Sequence, residues 1–220
     1  MSAGHHPAVD QYLETILELE ELDIVPMRAR LVERLGVSAP AVSETVKRLE
    51  REGYLTLDDG RVLHLTESGR AYGTSMLRRH RLAELLLVDV LKVPWSQVHE
   101  EACRLEHAIS PILEDHLVAL LGDPGACPHG NPIPGSVNAV DVGPLRKLSS
   151  VAPGGSCVVQ RIDEHLQTQL EHMRTLEAGR LLPGQTVHVD SAADGSVTLQ
   201  VDGRDVVVLD AVADEVYVSV

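Results

Sequence analysis

Residues 33–55 read ERLGVSAPAVSETVKRLEREGYL, and the punctuation inside this stretch decides how the N-terminal part of the chain folds. A short helical segment from Arg28 to Leu35 is closed by Gly36. Ser38 then stands where a helix cap is needed, and Pro40 falls in the first turn, where its missing N–H costs nothing. The second helix so opened runs to about Glu52. Two short helices joined by a glycine-containing turn are the pattern of a helix-turn-helix.

The surroundings agree with that reading. Upstream, Val9, Tyr12, Leu13, Ile16, Leu17 and Leu19 recur mostly at helical spacing among acidic residues, predicting an amphipathic helix over 9–22. Downstream, YLTLDDGRVLHLT (54–66) alternates, turns at Asp58-Asp59-Gly60 and resumes, predicting a β-hairpin or wing. Long helical segments follow over 70–91, 95–110 and 111–121. GDPGACPHGNPIPG (122–135) is dense in glycine and proline and reads as an irregular domain boundary. From Gly155 onward the runs CVVQ, TVHVD, VTLQV, DVVVLD and VYVSV are valine-rich strands separated by turns, with one helical interruption over 163–178. The expected fold is mainly α with β: a winged helix-turn-helix over 1–70, a helical domain over 71–140 and a small SH3-like β-barrel with its linker over 141–220.

The chain has 220 residues and a formal charge of −14, from 19 Lys and Arg against 33 Asp and Glu. An acidic total opposes phosphate binding, so distribution matters. Between Met27 and Arg51 lie Arg28, Arg30, Arg34, Lys47, Arg48 and Arg51 against Glu33, Glu44 and Glu50, a locally basic stretch. The acidic excess falls elsewhere, where cations could neutralise it. No run approaches the roughly 18 apolar residues of a membrane helix, and the first residues lack the signal-peptide pattern. Three separated cysteines without a C-x-x-C pair argue against a disulfide framework. A cytoplasmic protein is expected.

Residues able to carry chemistry cluster on the helices. His80 and Glu84, four apart, share a helix face. On the next predicted helix, His99, Cys103, Glu106 and His107 fall on successive turns of one stripe. Any one such pair is more often a solvated face than a ligand set, but this density of imidazole, carboxylate and thiolate suits first-row divalent metals. Cys103 with His107 could also be read as a nucleophile and base, but no third orienting group or oxyanion turn accompanies them, so no enzyme is expected. His5 and His6 receive no role.

These residues resemble a known family. The run over 33–55, the pair His80 and Glu84, HEEACRLEH (99–107) and GNPIPG (130–135) are similar to the diphtheria toxin repressor family of iron-dependent and manganese transport regulators. The resemblance implies a homodimeric, metal-dependent transcriptional repressor of metal-uptake genes, binding operator DNA and using Mn²⁺ or Fe²⁺ at two sites per subunit. It implies one site of His80, Glu84 and His99 completed by Glu164 and Gln167. The other would hold Cys103, Glu106 and His107, completed from the first helix. There iron regulators tend to place methionine and manganese regulators aspartate; this chain has Gln11, with Glu14 matching a further acidic ligand of the manganese branch. The same resemblance implies phosphate contacts from Arg28, Arg30, Arg48 and Arg51 and base-proximal contacts from Ser38, Pro40, Ser43 and Glu44. Glu44 departs from the usual glutamine, which changes which base edge can be read. A metal-independent winged-helix regulator and a metal-storage or metal-transfer protein are the rival readings.

Overall fold

A computed structural model describes residues 9–139 and 142–220; His5 and His6 lie outside them. The chain divides into two compact units, with the division between Arg78 and Arg79.

The first unit is the winged helix. It contains α1 (Val9–Glu21), α2 (Arg28–Leu35), α3 (Ala39–Arg51), the strands β1 (Leu55–Leu57) and β2 (Leu63–Leu65), and the start of α4 (Glu67–Leu85). The local signals act as read: Gly36 caps α2 with φ of 63° and donates to the Val32 carbonyl, a left-handed conformation that suits glycine. Ser38 caps α3, accepting from the Ala41 N–H. Tyr12, Leu13, Ile16 and Leu19 of α1 pack with Leu31, Val42, Val46, Leu49, Leu55 and Leu63 in one core. The strands pair antiparallel with Thr56 opposite His64.

In the second unit α4 passes into a π-helical turn, Leu86–Val90, a distortion frequent at functional sites. A 3₁₀ turn at Trp95–Gln97 leads into α5 (Val98–Leu105), which tightens again to 3₁₀ over Glu106–Ala108 before α6 (Pro111–Leu121). The SH3-like module is a six-stranded antiparallel sheet with order β3-β8-β4-β5-β6-β7. Its strands are β3 (Arg146–Lys147), β4 (Ser156–Ile162), β5 (Thr186–Ala193), β6 (Ser196–Val201), β7 (Arg204–Leu209) and β8 (Val216–Ser219). Alternation along them buries Cys157, Val159, Val187, Val189, Val197, Leu199 and Val201 on one face. Register shifts between Val159 and Arg161 and between Val189 and Ser191 bend the sheet. The helical interruption is broken into α7 (Glu164–Gln167) and α8 (Leu170–Ala178), and α9 (Asp210–Ala213) precedes β8.

The segment over 122–135 is ordered rather than a loose boundary. Cys127 and Asn131 pair through the backbone at 2.8 Å, and Ile162 at the end of β4 donates to the His129 carbonyl at 2.9 Å. Gly130, at φ of 84°, permits this approach, since a Cβ there would meet the Gln160 carbonyl oxygen at 1.9 Å.

Candidate metal centre

The second unit buries an unusual set of titratable side chains together. His80, Glu84 and Glu106 are each at most 4 % exposed, and His129 is wholly buried. α4 supplies His80 and Glu84 one turn apart; α5 supplies His99 and Cys103 likewise; the 122–135 loop supplies Cys127 and His129.

Their contacts converge on one carboxylate oxygen. Glu84 Oε1 lies 3.1 Å from His129 Nδ1, 3.3 Å from His80 Nε2 and 3.6 Å from His99 Nδ1. His80 Nδ1 bonds Glu106 Oε2 at 2.7 Å, and Cys103 Sγ sits 3.7 Å from His99 Nε2. His80 Nε2 and His99 Nδ1 are buried without a hydrogen bond. Both face the Glu84 carboxylate at ion-pair distance, so a metal entering there would take the place of a proton on each nitrogen. Two groups have donor atoms all within 4.8 Å of one another: His80, His99 and Cys103, and Glu84, Cys127 and His129. Imidazole, carboxylate and thiolate together fit a divalent transition metal.

Electrostatics follow from this packing. Burial alone would raise the Glu84 pKa, but His129, His80 and His99 hold it well below the usual carboxylate range. Burial opposes charge on His99, yet Cys103 beside it holds its pKa up at about 10. The same burial would raise Cys103, but His99 and His80 bring it down to about 6. His80 is likewise held well above its ordinary value against burial, chiefly by Cys103. Cys127 differs: burial, and then the charge of Glu84, push its thiol well up.

Not every residue singled out from the sequence joins these groups. The tightening to 3₁₀ after Leu105 interrupts the stripe, so Glu106 turns inward to His80 while His107 stays exposed, its Nε2 3.4 Å from Glu106 Oε1. The imidazoles grouped with the Cys103 thiol are those of His99, at 3.7 Å, and His80. Glu164 Oε1 accepts from Arg81 Nε at 3.0 Å and Nη2 at 2.7 Å. Gln167 donates from Nε2 to the Ile162 carbonyl at 2.9 Å, while its Oε1 is buried without a hydrogen bond. Gln11 is half-buried and Glu14 buried on α1. Cys127 and His129 were missed: their setting in C-P-H-G read as punctuation, although a Cys and a His two apart were the available signal.

In the first unit α3 buries Val42, Val46 and Leu49 and exposes Pro40, Glu44, Arg48 and Arg51, with Ser38 exposed at its cap and Ser43 half-buried. On α2, Arg28 is half-buried and Arg30 is exposed, paired with Glu33 at 2.8 Å. This is the face a groove-reading helix needs: apolar side to the core, basic side to solvent.

Comparison with known proteins fits this geometry. Residues 6–61 match the family described as iron dependent repressor, N-terminal DNA binding domain, and residues 66–135 match iron dependent repressor, metal binding and dimerisation domain. Residues 146–220 match the FeoA domain. The chain is 42 % identical over 210 residues to the iron-dependent repressor IdeR of Mycobacterium tuberculosis, covering 91 % of each. It is 36 % identical over 221 residues to the diphtheria toxin repressor of Corynebacterium diphtheriae, covering 96 % of each. Among solved structures, a manganese-dependent transcriptional repressor complexed with manganese aligns with a TM-score of 0.82 at 32 % identity, over 96 % of this chain and 99 % of that one.

Proposed function

The chain belongs to the iron-dependent repressor family, and from that membership we propose that it is a transcriptional repressor whose hold on operator DNA depends on bound divalent metal. It is a DNA-binding regulator and not an enzyme. The observation that carries the metal dependence is the convergence of three imidazoles, those of buried His80 and His129 and half-buried His99, on the buried Glu84 Oε1. A solvated acidic face has no reason to gather three imidazoles around one buried carboxylate oxygen, which disfavours a metal-independent regulator. The exposed basic side of α3 disfavours a storage protein.

The proposed ions are Mn²⁺ or Fe²⁺, two per subunit. One would be held around Cys103, Glu106 and His107, with Gln11 and Glu14 of α1 assigned to it from the sequence resemblance alone. The other would draw on His80, Glu84 and His99. Here Cys127 and His129, grouped with Glu84, add donors beside it, and Gln167 Oε1 offers a neutral oxygen. Bound there, a divalent ion supplies positive charge and a fixed coordination geometry. The residues do the rest: Glu84 holds negative charge in a buried setting, Glu106 hydrogen-bonds His80, His80 and His99 give up protons to bind, and α4 and α5 are fixed relative to each other. Binding of metal to one conformer shifts the population towards it.

Homodimerisation is proposed through α6, which exposes Ile112, Leu113 and Leu120 within the segment that matches a dimerisation domain. A dimer would set two copies of α3 on successive major grooves of a pseudo-palindromic operator, with Arg28, Arg30, Arg48 and Arg51 on phosphates and Ser38, Pro40, Ser43 and Glu44 near bases. Metal-uptake genes are the proposed targets. No helix among the described residues is long and apolar enough to cross a membrane, and a repressor acts where the DNA is, so the cytoplasm is the proposed compartment. Selection from a randomised duplex library, with Mn²⁺ or Fe²⁺ and with chelator, tests the proposal: a two-fold-related sequence should be enriched only with metal. Equal enrichment under chelation would sink it.

A further inference from the structure

Trp95 sits where three elements of the second unit meet. Its backbone N–H donates to Glu177 Oε1 of α8 at 3.1 Å, and the neighbouring Ser96 hydroxyl donates to Glu177 Oε2 at 2.6 Å. Its indole Nε1 donates to the Pro128 carbonyl at 2.9 Å. Its ring packs on His129 with centroids 4.6 Å apart, and its carbonyl accepts from His129 Nε2 at 3.3 Å. With the Nε2 proton given to Trp95, Nδ1 is the nitrogen that His129 turns to Glu84.

A ligating histidine almost always donates its second nitrogen's proton to a carbonyl or carboxylate, which fixes both tautomer and ring orientation. We infer that Trp95, fixed by Glu177, is a positioning residue that presents His129 Nδ1 to a metal ion shared with Glu84 and Cys127. The inference rests on the reading of those three residues as metal donors. It couples the SH3-like module to the metal centre, because the Glu177 carboxylate on α8 anchors the segment that opens α5 and so orders a donor. Both carboxylate oxygens are engaged on groups at the start of that segment, so the anchor acts on the Trp95 backbone and on the neighbouring Ser96 side chain.

The test uses full-length protein carrying Cys103→Ser, so that Cys127 is the thiolate under observation. Co²⁺ titration is followed by thiolate-to-cobalt charge-transfer absorption and by emission of Trp95, the single tryptophan of the chain. The parent should show both signals with one apparent Kd. Glu177→Ala should weaken that Kd by about tenfold or more, the range for removing an outer-sphere partner. Glu177→Gln, which keeps an acceptor, should recover part of the loss, and Trp95→Phe, followed by absorption, should weaken binding without removing the band. An unchanged Kd in Glu177→Gln and Trp95→Phe, with Glu177→Ala either unchanged or unfolded, overturns the inference. If the parent shows no charge-transfer band, or if the band survives Cys127→Ser, the donor reading itself fails and the inference falls with it.

Discussion

Glu84 Oε1 lies 3.1 Å from His129 Nδ1, although the two residues are 45 positions apart in the chain. The same oxygen faces His80 and His99, so Glu84, grouped with Cys127 and His129, also borders the other donor group. Glu84→Gln should therefore weaken metal binding at both, each by more than the roughly tenfold expected for an outer-sphere change. His129→Asn should affect the Cys127 group alone. Metal content and titration curves of the two variants check this, and a Glu84→Gln protein with one group intact would show that the carboxylate serves a single ion.

Metal affinity should depend on pH in a defined direction. With His99 held at about 10 and Cys103 lowered to about 6, the metal-free pair at pH 7 is imidazolium and thiolate. A metal binds neutral imidazole, so loading displaces the His99 proton at any pH below about 10, whereas Cys103 needs to lose none above about 6. Affinity should climb by about tenfold per pH unit for each proton displaced. Calorimetry in two buffers of different ionisation enthalpy measures that release directly. A binding enthalpy independent of buffer would show that the imidazoles are already neutral.

Glu164 is engaged by Arg81, a wholly buried guanidinium that also donates to the Pro132 carbonyl. Glu164→Ala strands that charge and should destabilise the metal-free protein by about 3–5 kcal/mol, whereas Arg81→Met with Glu164→Leu should recover most of the loss. Chemical denaturation in chelator checks both. Wild-type stability in Glu164→Ala, with only metal affinity reduced, would mean that this residue is a ligand rather than an ion-pair partner.

Where the sequence was legible, the signals were local. The helices read over 28–35 and 111–121 are found with those bounds because Gly36, Ser110 and Gly122 cap them within a turn. The segment read as one helix over 95–110 is instead 3₁₀, α and 3₁₀ in succession, with no glycine or proline inside it to announce the change. That tightening separates Glu106 from His107 and regroups the donors. Cys127 and His129 were illegible for another reason. Their burial depends on a loop laid against the end of β4, through Gly130 and the Ile162 N–H, and pairing at that distance leaves no periodicity.

DNA binding should separate positioning from reading. Arg48 and Arg51 are exposed on α3, and replacing either with alanine should weaken binding to all duplexes alike while lowering the salt slope by about one. Glu44→Gln should instead change preference, from cytosine towards adenine at one position of each half-site. Salt titrations and binding to single-base operator variants distinguish the two. A uniform loss in Glu44→Gln would show that the side chain reads no base.

The most direct measurement takes the duplex recovered by selection and compares its Kd for the full-length protein at one salt concentration, anaerobically, with Mn²⁺ or Fe²⁺ and with chelator. Chelation should drop binding to the non-specific level, weaker by about a thousandfold or more, and restored metal should recover it. The same Kd in both conditions would contradict the account, because the buried donors around Glu84 would then have no bearing on DNA binding.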